Sequence, residues 1–309
     1  MTRWKYSLKK ISQSEGGFVG LRKDSFIQRL LNPPLPPPPK PLALPKPAAP
    51  VTPELPATQI SLTSLGKRSL VTAGTGTPTV VFESGLGNGK EAWAHVFHAI
   101  SAQTHAVAYD RAGYGESEHS HRPRDGYQIV RELRAMLAVE NIPPPYVLVG
   151  HSLGGTIVKL FARTYPEEIA GVVLVDARHS EFAVRCRQFG VHRLWYEPPS
   201  VLFMMARNAM QGELKAAHIT TRQARRAGPF PPVPLIVLTQ RKAASKWPGG
   251  LGKVWVAAQR NMAKMSALGR FKVAEGSGHN VHKDRPDVVV RAVLNVVTAA
   301  RYLQGKRRV

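Results

Sequence analysis

The stretch VLVGHSLGGTIVKL, residues 147–160, opens as an unbroken apolar run, stops at Gly150, sets a serine between glycines, and restarts with helical spacing. Three β-branched or leucine residues followed by a glycine read as a buried strand end. The apolar positions of TIVKLFARTYP recur with helical spacing. Gly150-His151-Ser152-Leu153-Gly154 is therefore a G-x-S-x-G pentapeptide at a strand-to-helix corner. The pentapeptide alone recurs by chance, but this flanking context gives it meaning. Small residues let strand and helix pass closely while the serine takes a strained turn conformation. That places its hydroxyl at a helix N-terminus, where developing negative charge is favoured. A helix N-cap serine is the plainer alternative. The two glycines favour a nucleophile.

A serine hydroxyl is a weak nucleophile unless a base takes its proton. His279, in AEGSGHNVHKDRPDVV, follows the last expected strand and precedes a helix opening with Pro286. A loop there projects from the carboxyl edge of the sheet, the same side as Ser152, where open α/β sheets bind their ligands. His282, three residues on, is the rival. His151 adjoins the serine and is expected to pack beneath the turn.

Outward from this corner a rhythm holds. TVVFES (79–84), HAVAYD (105–110), YVLVGH (146–151), GVVLVD (171–176), PLIVLTQ (234–240) and RFKVAEG (270–276) are short runs rich in β-branched residues. Segments 91–102, 125–141, 153–165, 251–267 and 286–303 carry helical spacing. Strands alternating with helices indicate βαβ units, a mostly parallel central sheet with helices on both faces. QISLTSLGKRSLVTAG adds a β-hairpin around Gly66-Lys67. Residues 177–230 break the rhythm and read as a helical cap insertion above the sheet. Residues 1–58 read as a separate basic, then proline-rich arm, with twelve of the chain's 26 prolines between 33 and 56. Proline fixes φ and removes donors, so such a segment is an extended linker rather than part of a core. The domain is placed at 59–309.

ESGLGNGKEAW (83–93), YDRAGYGES (109–117), PPYVLVGHSLGG (144–155) and SGHNVHKDRPDVV (277–289) resemble, in order, the conserved blocks of the α/β-hydrolase superfamily, closest to its esterase-like serine hydrolase branch. The resemblance covers nearly all of residues 59–303. It implies an α/β-hydrolase fold with Ser152 matching the nucleophile and His279 the base. In many relatives the acid that orients this histidine follows the next-to-last strand. Here PLIVLTQRKAASKWPGG holds no Asp or Glu. A variant of the family places the acid one strand earlier, which implies Asp176, with Asp110 as the fallback. Glu275 lies too close in sequence to His279, and Asp284 reads as a helix-capping group. An oxyanion needs preorganised N–H donors. One expected donor is the Leu153 backbone N–H, directly after the serine. The other, by family position, is the Leu86 N–H in the Gly85-Leu86-Gly87 turn, with Asn88 as a supplement. Related dehalogenases and epoxide hydrolases carry an aspartate where Ser152 stands, so an acyl-enzyme route on a small-molecule ester is the expectation. An acyltransferase, thioesterase or peptidase is compatible with the same residues. Trp195, Phe203 and Met204 of the insertion are expected to line an apolar substrate pocket. No cofactor and no metal are expected.

Of 309 residues, 43 are Lys or Arg and 20 Asp or Glu, a formal charge of +23. Such an excess draws a protein to polyanions and anionic membranes but does not set its fold. The positive residues are dispersed and no nucleic-acid module signature appears, which argues against dedicated nucleic-acid binding. The basic tails allow peripheral contact with an anionic membrane or polyanion, and the vacant acid position allows a binding protein without turnover. The single cysteine, Cys186, forms no internal disulfide, and no run of about 18 apolar residues reads as a membrane span. Both point to a cytoplasmic protein.

Overall fold

The computed structural model describes residues 53–179, 208–241 and 250–307. Eight strands form one sheet: β1 Gln59–Thr63, β2 Gly66–Ala73, β3 Thr79–Glu83, β4 Ala106–Tyr109, β5 Tyr146–His151, β6 Ile169–Val175, β7 Leu235–Gln240 and β8 Gly269–Ala274. Their order is β1-β2-β4-β3-β5-β6-β7-β8. β1–β2 and β2–β4 pair antiparallel, and every other pair is parallel. The hairpin expected around Gly66-Lys67 turns two residues earlier, at Ser64-Leu65, because Gly66 already pairs with Thr63.

The central strands read as continuous apolar runs because both faces are buried. Leu148, Val172, Leu174, Leu235 and Val237 point to one core. Val147, Val149, Val173, Val175, Ile236 and Leu238 point to the other. The first core is covered by α2 (Gly126–Val139) and α3 (Leu153–Thr164), through Ile129, Leu133, Ile157 and Phe161. The second is covered by α1 (Ala94–Ser101) and by α7 (Pro286–Arg307), whose apolar stripe includes Val289, Val293 and Val296. The start of α2 is fixed by Asp125, whose carboxylate accepts the Gln128 N–H at 3.2 Å, an N-cap bond.

Within the expected insertion, the described residues are 177–179 and 208–230, which include helix α4 (Asn208–Arg226). It packs against α2 and α3, while its first turn reaches the loops after β3 and β4. Residues 180–207 lie outside the described residues, and with them Trp195, Phe203, Met204 and Cys186. α5 (Leu251–Ala263) and the short α6 (Val281–Asp284) complete the described helices. None of these helices is long and apolar enough to cross a membrane.

Chain direction across the sheet diverges at β3 and β5. β4 lies on one side of this pair, and β6, β7 and β8 lie on the other. The crevice outside the carboxyl ends of such a switch point is where open α/β sheets place their ligands.

Candidate active site

Ser152 stands between β5 and α3 with φ 52° and ψ −114°, a conformation that L side chains rarely adopt. Such a backbone costs on the order of 1–3 kcal/mol and persists only where the surroundings over-determine it. The surroundings here are backbone. The Ser152 N–H donates to the Val175 carbonyl at 3.2 Å, and its carbonyl accepts from the Arg178 N–H at 2.9 Å. A Cβ on Gly154 would sit 2.2 Å from the Glu83 carbonyl oxygen, so only glycine lets α3 pass the end of β3 this closely.

Three side chains from distant segments meet at this turn. His279 Nε2 lies 3.0 Å from Ser152 Oγ. His279 Nδ1 lies 2.7 Å from Asp176 Oδ2. Asp176 closes β6 at φ 43° and is fully buried. It is held by more than the histidine. Oδ1 accepts from Thr239 Oγ1 at 3.0 Å, the Gln240 N–H at 3.1 Å and Trp255 Nε1 at 2.8 Å, while Oδ2 also accepts from Gln240 Nε2 at 2.9 Å. With a carboxylate accepting at Nδ1, the imidazole carries its proton there and presents Nε2 as an acceptor to the serine hydroxyl. The arrangement suits a base that takes a proton from Ser152.

The loop after β3 passes directly beside the serine. A Cβ on Gly85 would lie 3.3 Å from Ser152 Cβ and 2.7 Å from His151 Nδ1. Leu153 opens α3, so its N–H has no intrahelical acceptor. Neither the Leu86 nor the Leu153 N–H has a hydrogen-bond acceptor among the described residues. Asn88 does something other than supplement them, because its side-chain amide donates to the Leu86 carbonyl at 3.2 Å and so fixes the turn.

The remaining candidates have structural positions. Asp110 accepts from the Lys90 N–H at 2.7 Å and Nζ at 2.8 Å, tying the loops after β3 and β4 together. Glu275 pairs with Arg241 at 2.9 Å. Asp284 accepts the Gly278 N–H at 2.7 Å, closing the loop that carries His279 rather than capping a helix. His151 Nε2 donates to the His279 carbonyl at 3.0 Å from beneath the turn. His282 is buried between Trp93 and His151, with ring centroids 4.9 and 4.5 Å away, and does not reach Ser152. Sequence reasoning missed Thr239, Gln240 and Trp255. The one available signal was the polar ending of β7, where an acid was sought. No group of acidic, histidine or cysteine side chains among the described residues is arranged to hold a metal ion.

The two buried histidines carry a pH cost. Burial pulls the His282 imidazolium down to about 3, and nearby Lys283, His279 and His95 add repulsion. Burial and the charges of His282 and His279 likewise hold His151 well below the usual histidine range. An unfolded histidine titrates near 6.5, so below that value the unfolded chain binds a proton that the folded chain refuses. The stability present above pH 6.5 is therefore lost as the pH falls toward 3, by about 1.4 kcal/mol per pH unit for each such proton. His282→Phe is expected to make the slope of unfolding free energy against pH shallower by that amount between pH 6 and 4. Denaturant titrations at several pH values measure it, and an unchanged slope would contradict it.

The model of a family described as the alpha/beta hydrolase family matches residues 80–292. The chain is 28% identical over 223 residues to the uncharacterized protein YqjL of Bacillus subtilis (strain 168), covering 72% of this chain and 84% of that one. Among solved structures, the enol-lactonase from Burkholderia xenovorans LB400 superposes with a TM-score of 0.59 at 20% identity, over 78% of this chain and 100% of that one. A thermophilic esterase from Thermogutta terrifontis gives 0.54 at 19% identity, over 79% and 99%. At such identities the structural likeness speaks for the fold.

Proposed function

The chain belongs to the alpha/beta hydrolase family, and from that premise we propose that it is a serine hydrolase cleaving a carboxylic ester or related acyl compound. The observation that carries this reading is the unbroken hydrogen-bonded series Ser152–His279–Asp176 at the rim of the β3/β5 crevice. The names of two structural neighbours, an esterase and an enol-lactonase, point the same way.

In the proposed reaction Ser152 Oγ attacks the acyl carbonyl as His279 Nε2 takes its proton. Asp176 keeps the ring oriented and offsets the positive charge it gains. The N–H groups of Leu86 and Leu153 receive the negative charge that develops on the carbonyl oxygen. Collapse of the tetrahedral intermediate expels the alcohol, which takes the proton from His279, and leaves an acyl group on Ser152. Water, deprotonated by the same nitrogen, then attacks the acyl-enzyme and releases the acid.

A fluorophosphonate probe tests the reading. Wild-type protein is expected to be labelled at a single site and to turn over chromogenic esters, with a preference that a series of acyl-chain lengths would define. Ser152→Ala is expected to lose both label and turnover. Absence of Ser152-dependent labelling in a folded protein would instead favour a binding protein without turnover.

A further inference from the structure

On the flank of α3, away from Ser152, a cavity of about 100 Å³ is lined by Thr156, Lys159, Arg163, His179, Arg225 and Asn261, with methionines at its wall. Lys159 is only 6% exposed. An ammonium carries three N–H donors, yet the acceptors given to this one are neutral: the Arg178 carbonyl at 2.9 Å and the Met262 thioether at 3.3 Å. Arg163 is in a similar position, donating to the Gly228 carbonyl at 2.5 Å and to Met265 Sδ at 3.7 Å. Thioethers are weak acceptors. Among the described residues, no carboxylate lies within ion-pairing distance of Lys159, Arg163, Arg178 or Arg225.

Buried charges in proteins are ordinarily paired. Here two segments of chain, α3 and the end of α4, bring Lys159, Arg163 and Arg225 to one small hollow that holds no carboxylate among the described residues. Burial pulls the Lys159 ammonium down to about 7, with repulsion from Arg163 and Arg178 adding to it. An arriving anion would reverse both causes at once. The amide of Asn261 adds a neutral donor to the same walls, while the Thr156 hydroxyl donates to the Arg178 carbonyl at 3.4 Å. The volume holds a few waters' worth of ligand, which excludes a nucleotide but admits a single oxyanion group.

We propose that this cavity is a binding site for one small oxyanion, a phosphate, sulfate or short carboxylate, separate from the Ser152 centre. Lys159 lies seven residues along α3 from Ser152, about 10 Å of helix, so the ligand is not the acyl group undergoing attack. The assignment does not depend on the proposed hydrolysis.

Calorimetric titration of the full chain with inorganic phosphate, sulfate and acetate, at constant ionic strength and pH 7.5, tests it. One saturable site is expected for at least one of the three. The phosphate and sulfate arms against the acetate arm separate a tetrahedral anion from a carboxylate. Lys159→Met is expected to weaken that binding at least tenfold, whereas Lys272→Gln, on the exposed side of β8, leaves it unchanged. Non-saturable uptake of all three anions, equal in Lys159→Met, would reduce the site to general attraction by a basic surface and overturn the proposal. Should Lys159→Met fail to fold, the wild-type Lys159 amine can be followed by nitrogen NMR. Its titration midpoint is expected to rise with saturating phosphate, sulfate or acetate, and a midpoint unmoved by all three would equally overturn the proposal.

Discussion

Asp176→Asn is expected to lower kcat for ester turnover about 10⁴-fold, the order seen when a triad carboxylate becomes an amide, while the protein stays folded. The reason lies in how many donors the carboxylate serves. Oδ1 accepts three, from Thr239, the Gln240 backbone and Trp255, and Oδ2 accepts two, from Gln240 Nε2 and His279 Nδ1. An asparagine must turn its NH₂ toward one of these sets. Facing it toward Oδ1's three donors, one of them a fixed backbone N–H, costs more than facing it toward two adjustable side chains. The amide therefore donates to His279 Nδ1, which forces the ring's proton onto Nε2. That nitrogen then points a hydrogen at Ser152 and cannot take one. The loss should appear in kcat with a smaller change in KM, and with stability reduced by about 1–3 kcal/mol for the imperfect network. Asp110→Asn is the contrast, because Asp110 holds Lys90 and the loop backbone. It should cost stability while the folded fraction retains its rate. Full activity in Asp176→Asn, with Asp110→Asn inactive though folded, would move the acid elsewhere.

Ser152, His279 and Asp176 were legible because each sits where a short apolar strand ends, and strand ends at one edge of a parallel sheet converge. Period-two burial on both faces made those strands readable as apolar runs, and the helical spacing between them fixed the connections. The vacancy after β7 has a physical counterpart. Thr239 and Gln240 stand there as donors to the aspartate that β6 supplies. Trp255 was not legible, since one tryptophan in an amphipathic helix reads as core, and only the turn of α5 brings its N–H to Asp176. Lys159 was hidden for the opposite reason. A lysine in α3 reads as solvent-facing, and packing of α4 and α5 covers it. Long-range ion pairs were equally invisible, because sequence alone does not say which of 43 basic residues meets which of 20 acidic ones.

Arg111 is the case with the largest structural consequence. Its side chain is 1% exposed, and it meets Glu83 and Glu213, each fully buried. Nε and Nη2 grip the Glu213 carboxylate of α4 at 2.7 and 2.9 Å, a bidentate pair spanning 102 residues of sequence. Nη1 meets Glu83 Oε1 at 2.7 Å, and the remaining donors hold the Ser84 and Gly85 carbonyls at 2.7 and 2.9 Å, immediately before Leu86. Tyr114 continues the network, donating to Glu213 Oε2 at 2.9 Å and accepting the Gly87 N–H at 3.3 Å. Burial already pushes the Glu83 carboxyl up, against the pull of Arg111. Removing the guanidinium leaves two carboxylates in a dry interior without a counter-charge. Among the described residues, Glu83 then keeps only the Tyr109 hydroxyl and Glu213 only the Tyr114 hydroxyl as donors, and the Ser84 and Gly85 carbonyls lose their bonds to the guanidinium. Arg111→Met is accordingly expected to destabilise the fold by about 3–5 kcal/mol, the range for breaking a buried ion pair. With Arg111 gone, the Glu83 carboxyl loses the pull that opposes its burial and should titrate further above the unfolded glutamate value near 4.3, so the folded variant binds a proton that its unfolded chain has released. The variant's deficit against wild type should then be largest near pH 8 and shrink toward pH 5. Arg111→Lys keeps the charge but not the fork, so it should fold yet let the Ser84–Gly85 carbonyls drift. If the Leu86 N–H receives the oxyanion, that drift lowers kcat by up to about 10² with little change in KM. Unfolding free energies of Arg111→Met within 1 kcal/mol of wild type at pH 8 would contradict the structural role. An Arg111→Lys enzyme with unaltered kcat would separate this network from the chemistry at Ser152.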